Sequence, residues 1–171
     1  MLRRWRFGFM DLSVRQRVEE AMMVERGMGR IVVHAHGQPK DRAMKALIEM
    51  YAERLSSRGV RLEYHAGKLT AEAYTKRLDG LTGTLVLLDE GGRQEDSLAF
   101  AQRFETWQLS NDTVHLAIGP AAGWPDSVML NSVARMSLSS MTLPHELAMV
   151  VLVEQLYRAS EIQRNTGYHK A

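Results

Sequence analysis

Val114-His115-Leu116-Ala117-Ile118-Gly119-Pro120-Ala121-Ala122-Gly123 is a short, nearly continuous apolar run that stops at glycine and proline. A strand with one wet face alternates apolar and polar residues, so such a run reads as a strand buried on both faces. Two earlier stretches have the same character. Ile31-Val32-Val33 ends at the turn His36-Gly37-Gln38-Pro39, and Thr84 to Leu88 is closed by Asp89-Glu90-Gly91-Gly92. Helical patterns separate the three. Asp41 can cap a helix whose apolar positions Leu47, Ile48, Tyr51 and Leu55 recur at helical spacing, with Gly59 just past its end, and a second helix is expected from about Ser97 to Gln108. Helical crossovers join parallel strands, so the class is α/β: an open, mostly parallel sheet with helices on both faces.

The remaining elements fit between these. Val60 to Tyr64 alternates like an edge strand, and Thr70 begins a short helix through Leu78. Another short helix is expected near Ser127 to Ala134, then a brief strand from Met136 to Leu138, and a long final helix from Glu146 to about Arg164. The chain of 171 residues, 45% of them hydrophobic, suits one domain over residues 28–171. Residues 1–27 read as an extension, either disordered or an added helix. Their early arginines resemble a sorting signal, but Asp11, Arg15, Arg17, Glu19 and Glu20 break any apolar core.

The net charge of +2 is unevenly placed. Residues 1–30 hold seven arginines and four acids, a net +3, which leaves −1 for the other 141 residues. The basic excess thus belongs to the amino-terminal segment and not to the body of the domain, and composition alone does not establish a nucleic-acid partner. Cysteine is absent, which excludes disulfides, thiolate metal sites and a cysteine nucleophile, and a cytoplasmic location is expected. No apolar run approaches the roughly 20 residues of a membrane span, so no membrane partner is expected.

Ligands of open α/β sheets bind beyond the carboxyl ends of the strands. Three loops qualify here: Leu88 to Gly92, Ile118 to Gly123, and Leu138 to His145. None matches a dinucleotide or phosphate-loop fingerprint, and there is no Gly-x-Ser-x-Gly elbow. His34 and His36 lie two apart on a strand and face one side, but no third ligand is evident, and no metal is expected. Glu154 and Arg158, four apart on the last helix, are placed to pair.

Four segments in order carry a family resemblance: Leu116 to Gly119, Ser137 to Leu147, Glu154 to Ala159, and Tyr168-His169-Lys170. Together they resemble the SPOUT-class (α/β-knot) methyltransferases that methylate N3 of a pseudouridine in large-subunit (23S) ribosomal RNA. The resemblance runs from about Gly29 to Ala171. It implies a deep trefoil knot near the carboxyl end, a homodimer, and S-adenosyl-L-methionine held in a bent form by three knot loops. Carried over by position, the cofactor contacts are Leu88, Gly119, Leu138, Ser139, Ser140, Met141, Thr142 and Leu143.

The same resemblance implies action on the assembled ribosome, with a substrate site shared between subunits and closed by the carboxyl tail. Tyr168, His169 and Lys170 match that tail, and His145 and Arg158 match polar positions near the cleft. His169 is the expected proton acceptor or RNA contact, with Arg158 and Lys170 supplying electrostatic or phosphate contacts. The chain departs from the pattern in three places. Pro120 replaces a second glycine after Gly119, the stretch from the second strand to Thr84 is short, and residues 1–27 have no counterpart. Two other readings stand beside this one: a knotted cofactor- or ribosome-binding dimer without turnover, and an unknotted flavodoxin-like nucleotide-binding domain.

Overall fold

The computed structural model describes residues 30–127 and 130–170. The expected extension over residues 1–27, and Val128 and Met129 of the expected short helix, lie outside them. The described chain runs β1 (Ile31–His36), α1 (Arg42–Ser56), β2 (Val60–His65), α2 (Ala71–Asp79), β3 (Thr84–Gln94), α3 (Ser97–Leu109), β4 (Val114–Ile118), β5 (Ala134–Ser137) and α4 (His145–Gln163), ending in a 3-10 turn, Gly167–Lys170. The five strands form one sheet in the order β2-β1-β4-β3-β5. Every pairing in it is parallel.

Local chemistry fixes the helix ends. Asp41 accepts hydrogen bonds from the amides of Ala43 and Met44, both at 2.9 Å, and starts α1. Thr70 does the same for α2 through the amide of Ala73 at 3.1 Å, and Asp96 for α3 through that of Ala99 at 2.8 Å. Pro144 precedes α4, where a missing N–H costs nothing.

Alternate residues of each central strand face opposite layers. Val33, Ala35, Val86, Leu116 and Ile118 join the larger core, beneath Ile48 and Leu55 of α1, Phe100 and Phe104 of α3, and Leu152 and Leu156 of α4. Leu87 and Ala117 point the other way, into a smaller core with Tyr74, Leu78 and Leu130. The expected helices on both faces are present, with α2 on the thinner side.

Three expected boundaries move. β3 does not stop at Leu88 but continues to Gln94, and Leu88 and Arg93 both register against Met136 of β5. Asp89 to Gly92 thus bulge out and the strand returns. Gly92 makes the return possible, because a Cβ there would sit 2.6 Å from the main-chain N and C of Met136. Where a helix was expected up to Ala134, Val133 donates to the Leu130 carbonyl at 3.3 Å in a turn, and Ala134 already belongs to β5. That strand ends at Ser137, one residue before Leu138.

Candidate functional site

The carboxyl ends of β3, β4 and β5 open onto one cleft of about 250 Å³. Its walls come from all three expected loops: Leu88 from the first, Gly119 from the second, and Leu138, Ser139, Met141, Thr142 and Leu143 from the third. Ser140 is exposed and does not line it. His145, the first residue of α4, stands at its edge and also lines an adjoining cleft of about 780 Å³. The two clefts share Pro120, Ala121 and His145.

Side-chain bonds shape the loops. Asp89 accepts from the Gly91 amide at 2.8 Å and pairs with Arg135 at 2.6 Å, which ties the bulge of β3 to β5. The Thr142 hydroxyl donates to Glu90 at 2.9 Å, joining the first loop to the third. Within the third, the Ser137 hydroxyl donates to the Ser139 carbonyl at 2.7 Å, and the Met141 amide to the Ser139 hydroxyl at 3.0 Å.

The floor rests on two aromatics that the sequence reading did not single out. The Trp124 indole N–H donates to the Leu88 carbonyl at 2.8 Å, and the buried Tyr74 hydroxyl donates to the Ile118 carbonyl at 3.0 Å. Their rings stack, with centroids 5.8 Å apart and planes 9° from parallel. Gly119 fits against this stack because it has no side chain, a Cβ there falling 3.0 Å from the indole. An aromatic directly after Gly123 in a strand-end loop was the signal available for Trp124.

Burial lowers the His145 pKa below the ordinary imidazole value, opposed by main-chain hydrogen bonds at Gly119 and His36. The ring is therefore held neutral near pH 7. Its neighbour Glu146 accepts from the amides of Lys40 and Asp41, at 2.7 and 3.0 Å, and so fastens the entrance of α1 to that of α4. These bonds wall the second cleft.

A lining of apolar side chains, hydroxyls and two carboxylates, one of them paired with Arg135, suits a ligand with a flat apolar part and a positive charge. A family described as "Predicted SPOUT methyltransferase" matches residues 29–169. The chain belongs to this SPOUT methyltransferase family. It is similar to the Ribosomal RNA large subunit methyltransferase H of Gluconacetobacter diazotrophicus, 41% identical over 145 residues that cover 80% of this chain and 95% of that protein. The proteins of that name from Anaeromyxobacter sp. (strain Fw109-5) and Ruminiclostridium cellulolyticum are 38% and 34% identical, each over 82% of this chain and 99% of its own length.

In this SPOUT methyltransferase the carboxyl tail stands apart from the clefts. Arg158, Tyr168, His169 and Lys170 line neither of them. Instead the tail packs back on α4: the Tyr168 hydroxyl reaches Glu154 at 3.1 Å and Tyr51 at 3.2 Å. The Arg158 guanidinium donates twice to Glu154, at 3.0 and 2.7 Å, and covers the Tyr168 ring at 4.9 Å. The expected Glu154–Arg158 pair thus also seats the tail. Burial and these hydroxyl contacts push the Tyr168 phenol well up, so it stays protonated. His169 Nδ1 is buried without a hydrogen-bond partner among the described residues, and Lys170 is exposed. No helix among the described residues is long and apolar enough to cross a membrane.

Proposed function

We propose that the protein is an S-adenosyl-L-methionine-dependent methyltransferase acting on N3 of a pseudouridine in large-subunit (23S) ribosomal RNA, on the assembled ribosome in the cytoplasm. The observation that carries this reading is the single cleft built from three strand-end loops in a chain of the SPOUT family. Relatives named as ribosomal RNA large subunit methyltransferases supply the substrate class. The bulged return of β3 beside β5 is compatible with the deep trefoil knot the resemblance implies, and the knot belongs to the proposal.

The cofactor fits the residues present. Leu88, Ile118, Leu138 and Leu143 offer apolar walls for an adenine, and Glu90, bonded to the neutral Thr142 hydroxyl, offers carboxylate charge toward a sulfonium, whereas the charge of Asp89 is matched by Arg135. When bound, S-adenosyl-L-methionine supplies an electrophilic methyl group. The protein's task is to hold the uridine-like N3 in line with that methyl and to accommodate the proton N3 gives up. His145, neutral and placed between the two clefts, orients the base. His169 accepts the proton or contacts the RNA, and the exposed Lys170 meets phosphate. Arg158 acts through Tyr168 and Glu154 to hold the tail in place.

One rise per residue of about 1.5 Å puts Glu154, where the tail is anchored, roughly 13 Å along α4 from His145. A tail seated there serves a neighbouring cleft more readily than its own. The proposal therefore includes a homodimer in which each cleft is completed by the tail of the other copy. The unpartnered Nδ1 of His169 supports the same arrangement.

A non-catalytic ribosome- or cofactor-binding role is the second reading. Pro120 favours it, because it removes a backbone donor from the second loop, and its carbonyl is already taken by the Gly123 amide at 2.8 Å. Mass spectrometry separates the two. Ribosomes from cells lacking the modification, incubated with the protein and labelled S-adenosyl-L-methionine, should yield a 23S fragment with the label on N3 of a pseudouridine. Cofactor binding without any labelled fragment would select the second reading.

A further inference from the structure

The face of the sheet beneath α2 carries a polar cluster behind the cleft floor, with the His65 ring against Tyr74 at a centroid distance of 5.0 Å. His34 of β1 lies in register with Glu63 of β2, and His65 follows two residues later, so all three side chains emerge on one face. One ligand atom from each, two imidazole nitrogens and a carboxylate oxygen, lies within 4.8 Å of the others. We propose that His34, Glu63 and His65 form a site for one zinc ion. His36, the partner suggested by spacing along β1, is not part of it, because its Nε2 bonds the Leu69 carbonyl at 2.8 Å.

Hydrogen-bond logic leaves the right lone pair free. The Thr82 carbonyl can only accept, so His115 Nε2, 3.1 Å away, carries a proton. A neutral His115 then offers Nδ1 as an acceptor, and His34 Nε2, 2.9 Å from it, donates. The remaining nitrogen of His34, Nδ1, therefore presents its lone pair to the cluster. Protein metal ligands are held in this way, with the far ring N–H fixed by a second group. Without metal, His65 Nε2 fills the place by donating to His34 Nδ1 at 2.9 Å. Metal binding needs only that the single His65 proton reside on Nδ1, a change of tautomer with no net loss.

The dimensions suit zinc. Tetrahedral bonds of about 2.0–2.1 Å require ligand atoms about 3.3 Å apart. The present separations are 2.9 Å between His34 and His65, 3.9 Å between His65 and Glu63 and at most 4.8 Å between His34 and Glu63, so the requirement is met when the half-exposed Glu63 side chain rotates inward. His34 is fully buried, whereas the Glu63 side chain is 46% exposed, which leaves an entry path and a fourth position for water. Arg61 and Arg77 bear on the same histidines and oppose a cation, while the Glu63 carboxylate offsets part of that charge.

The test uses the full chain, stripped with chelator and then titrated with zinc at neutral pH, followed by dialysis and elemental analysis. Wild type should retain one equivalent and melt at a higher temperature with zinc than without. Glu63→Ala alters a half-exposed group and should fold normally while binding zinc at least about tenfold more weakly. His65→Gln, at a buried position, should weaken zinc binding by a similar factor, and His36→Gln should retain the full equivalent. Failure of wild type to retain zinc, or wild-type affinity in both Glu63→Ala and His65→Gln, would overturn the proposal and leave His65, His34 and His115 as a hydrogen-bonded chain only.

Discussion

Leu88, where β3 begins its bulge, and Ile118, the last residue of β4, each have a carbonyl that receives its hydrogen bond from an aromatic side chain of the cleft floor. Trp124→Phe keeps the stack on Tyr74 but leaves the Leu88 carbonyl without that donor. It should cost about 1–3 kcal/mol in urea unfolding. A second prediction at this scale concerns His34. Burial, with His115 and His65 beside it, holds its pKa down to about 3. The unfolded chain takes up this proton near pH 6.5, so the unfolded state binds more protons between those values. The contribution of His34 is full above pH 6.5 and is lost as pH falls toward 3. Between pH 7.5 and pH 5, chelator-treated protein should lose about 2 kcal/mol through His34 alone. His34→Gln should flatten that profile if His34 is its source. The sequence placed His34 and His36 on one face correctly, but the partners of His34 come from β2 and β4, and strand order is not written in any local spacing.

Among the elements, those with their own punctuation were legible. Asp41 and Thr70 stand at the caps where the residue types required them, and the alternating β2 is an edge strand. Asp41→Ala removes an acceptor shared by two amides and should destabilise the fold by about 1 kcal/mol in thermal or urea melts. β3 was legible only to Leu88, because Asp89-Glu90-Gly91-Gly92 has the composition of a terminating turn. What extends it is a contact far along the chain, the approach of Gly92 to the backbone of Met136. Gly92→Ala should therefore disrupt the pairing of β3 with β5 and the cleft with it, measured as lost cofactor binding and faster hydrogen exchange in β5. The segment before Ala134 was read as a helix from composition, and the turn there serves instead to bury Leu130 in the smaller core.

At the scale of the whole molecule, alternation of strands and helices sufficed for the sheet and for the end at which the cleft opens. It carried no information about a knot, since chain threading leaves no periodic trace. Nor did it show that the tail would seat on the middle of α4 instead of over its own cleft. If each cleft is completed by the other copy, a cleft-blocked variant such as Leu138→Arg and a tail variant lacking residues 167–171 should each be inactive alone. Co-expressed, they should recover about a quarter of wild-type turnover, because random pairing gives half the dimers one intact site of two. The most direct measurement is transfer of labelled methyl from S-adenosyl-L-methionine to undermodified ribosomes by wild type and by Leu138→Arg side by side. Label in the large-subunit RNA with wild type and none with the variant is the expected result. No label with either protein, on ribosomes that an active relative does methylate, or equal label with both, would contradict the account of the cleft.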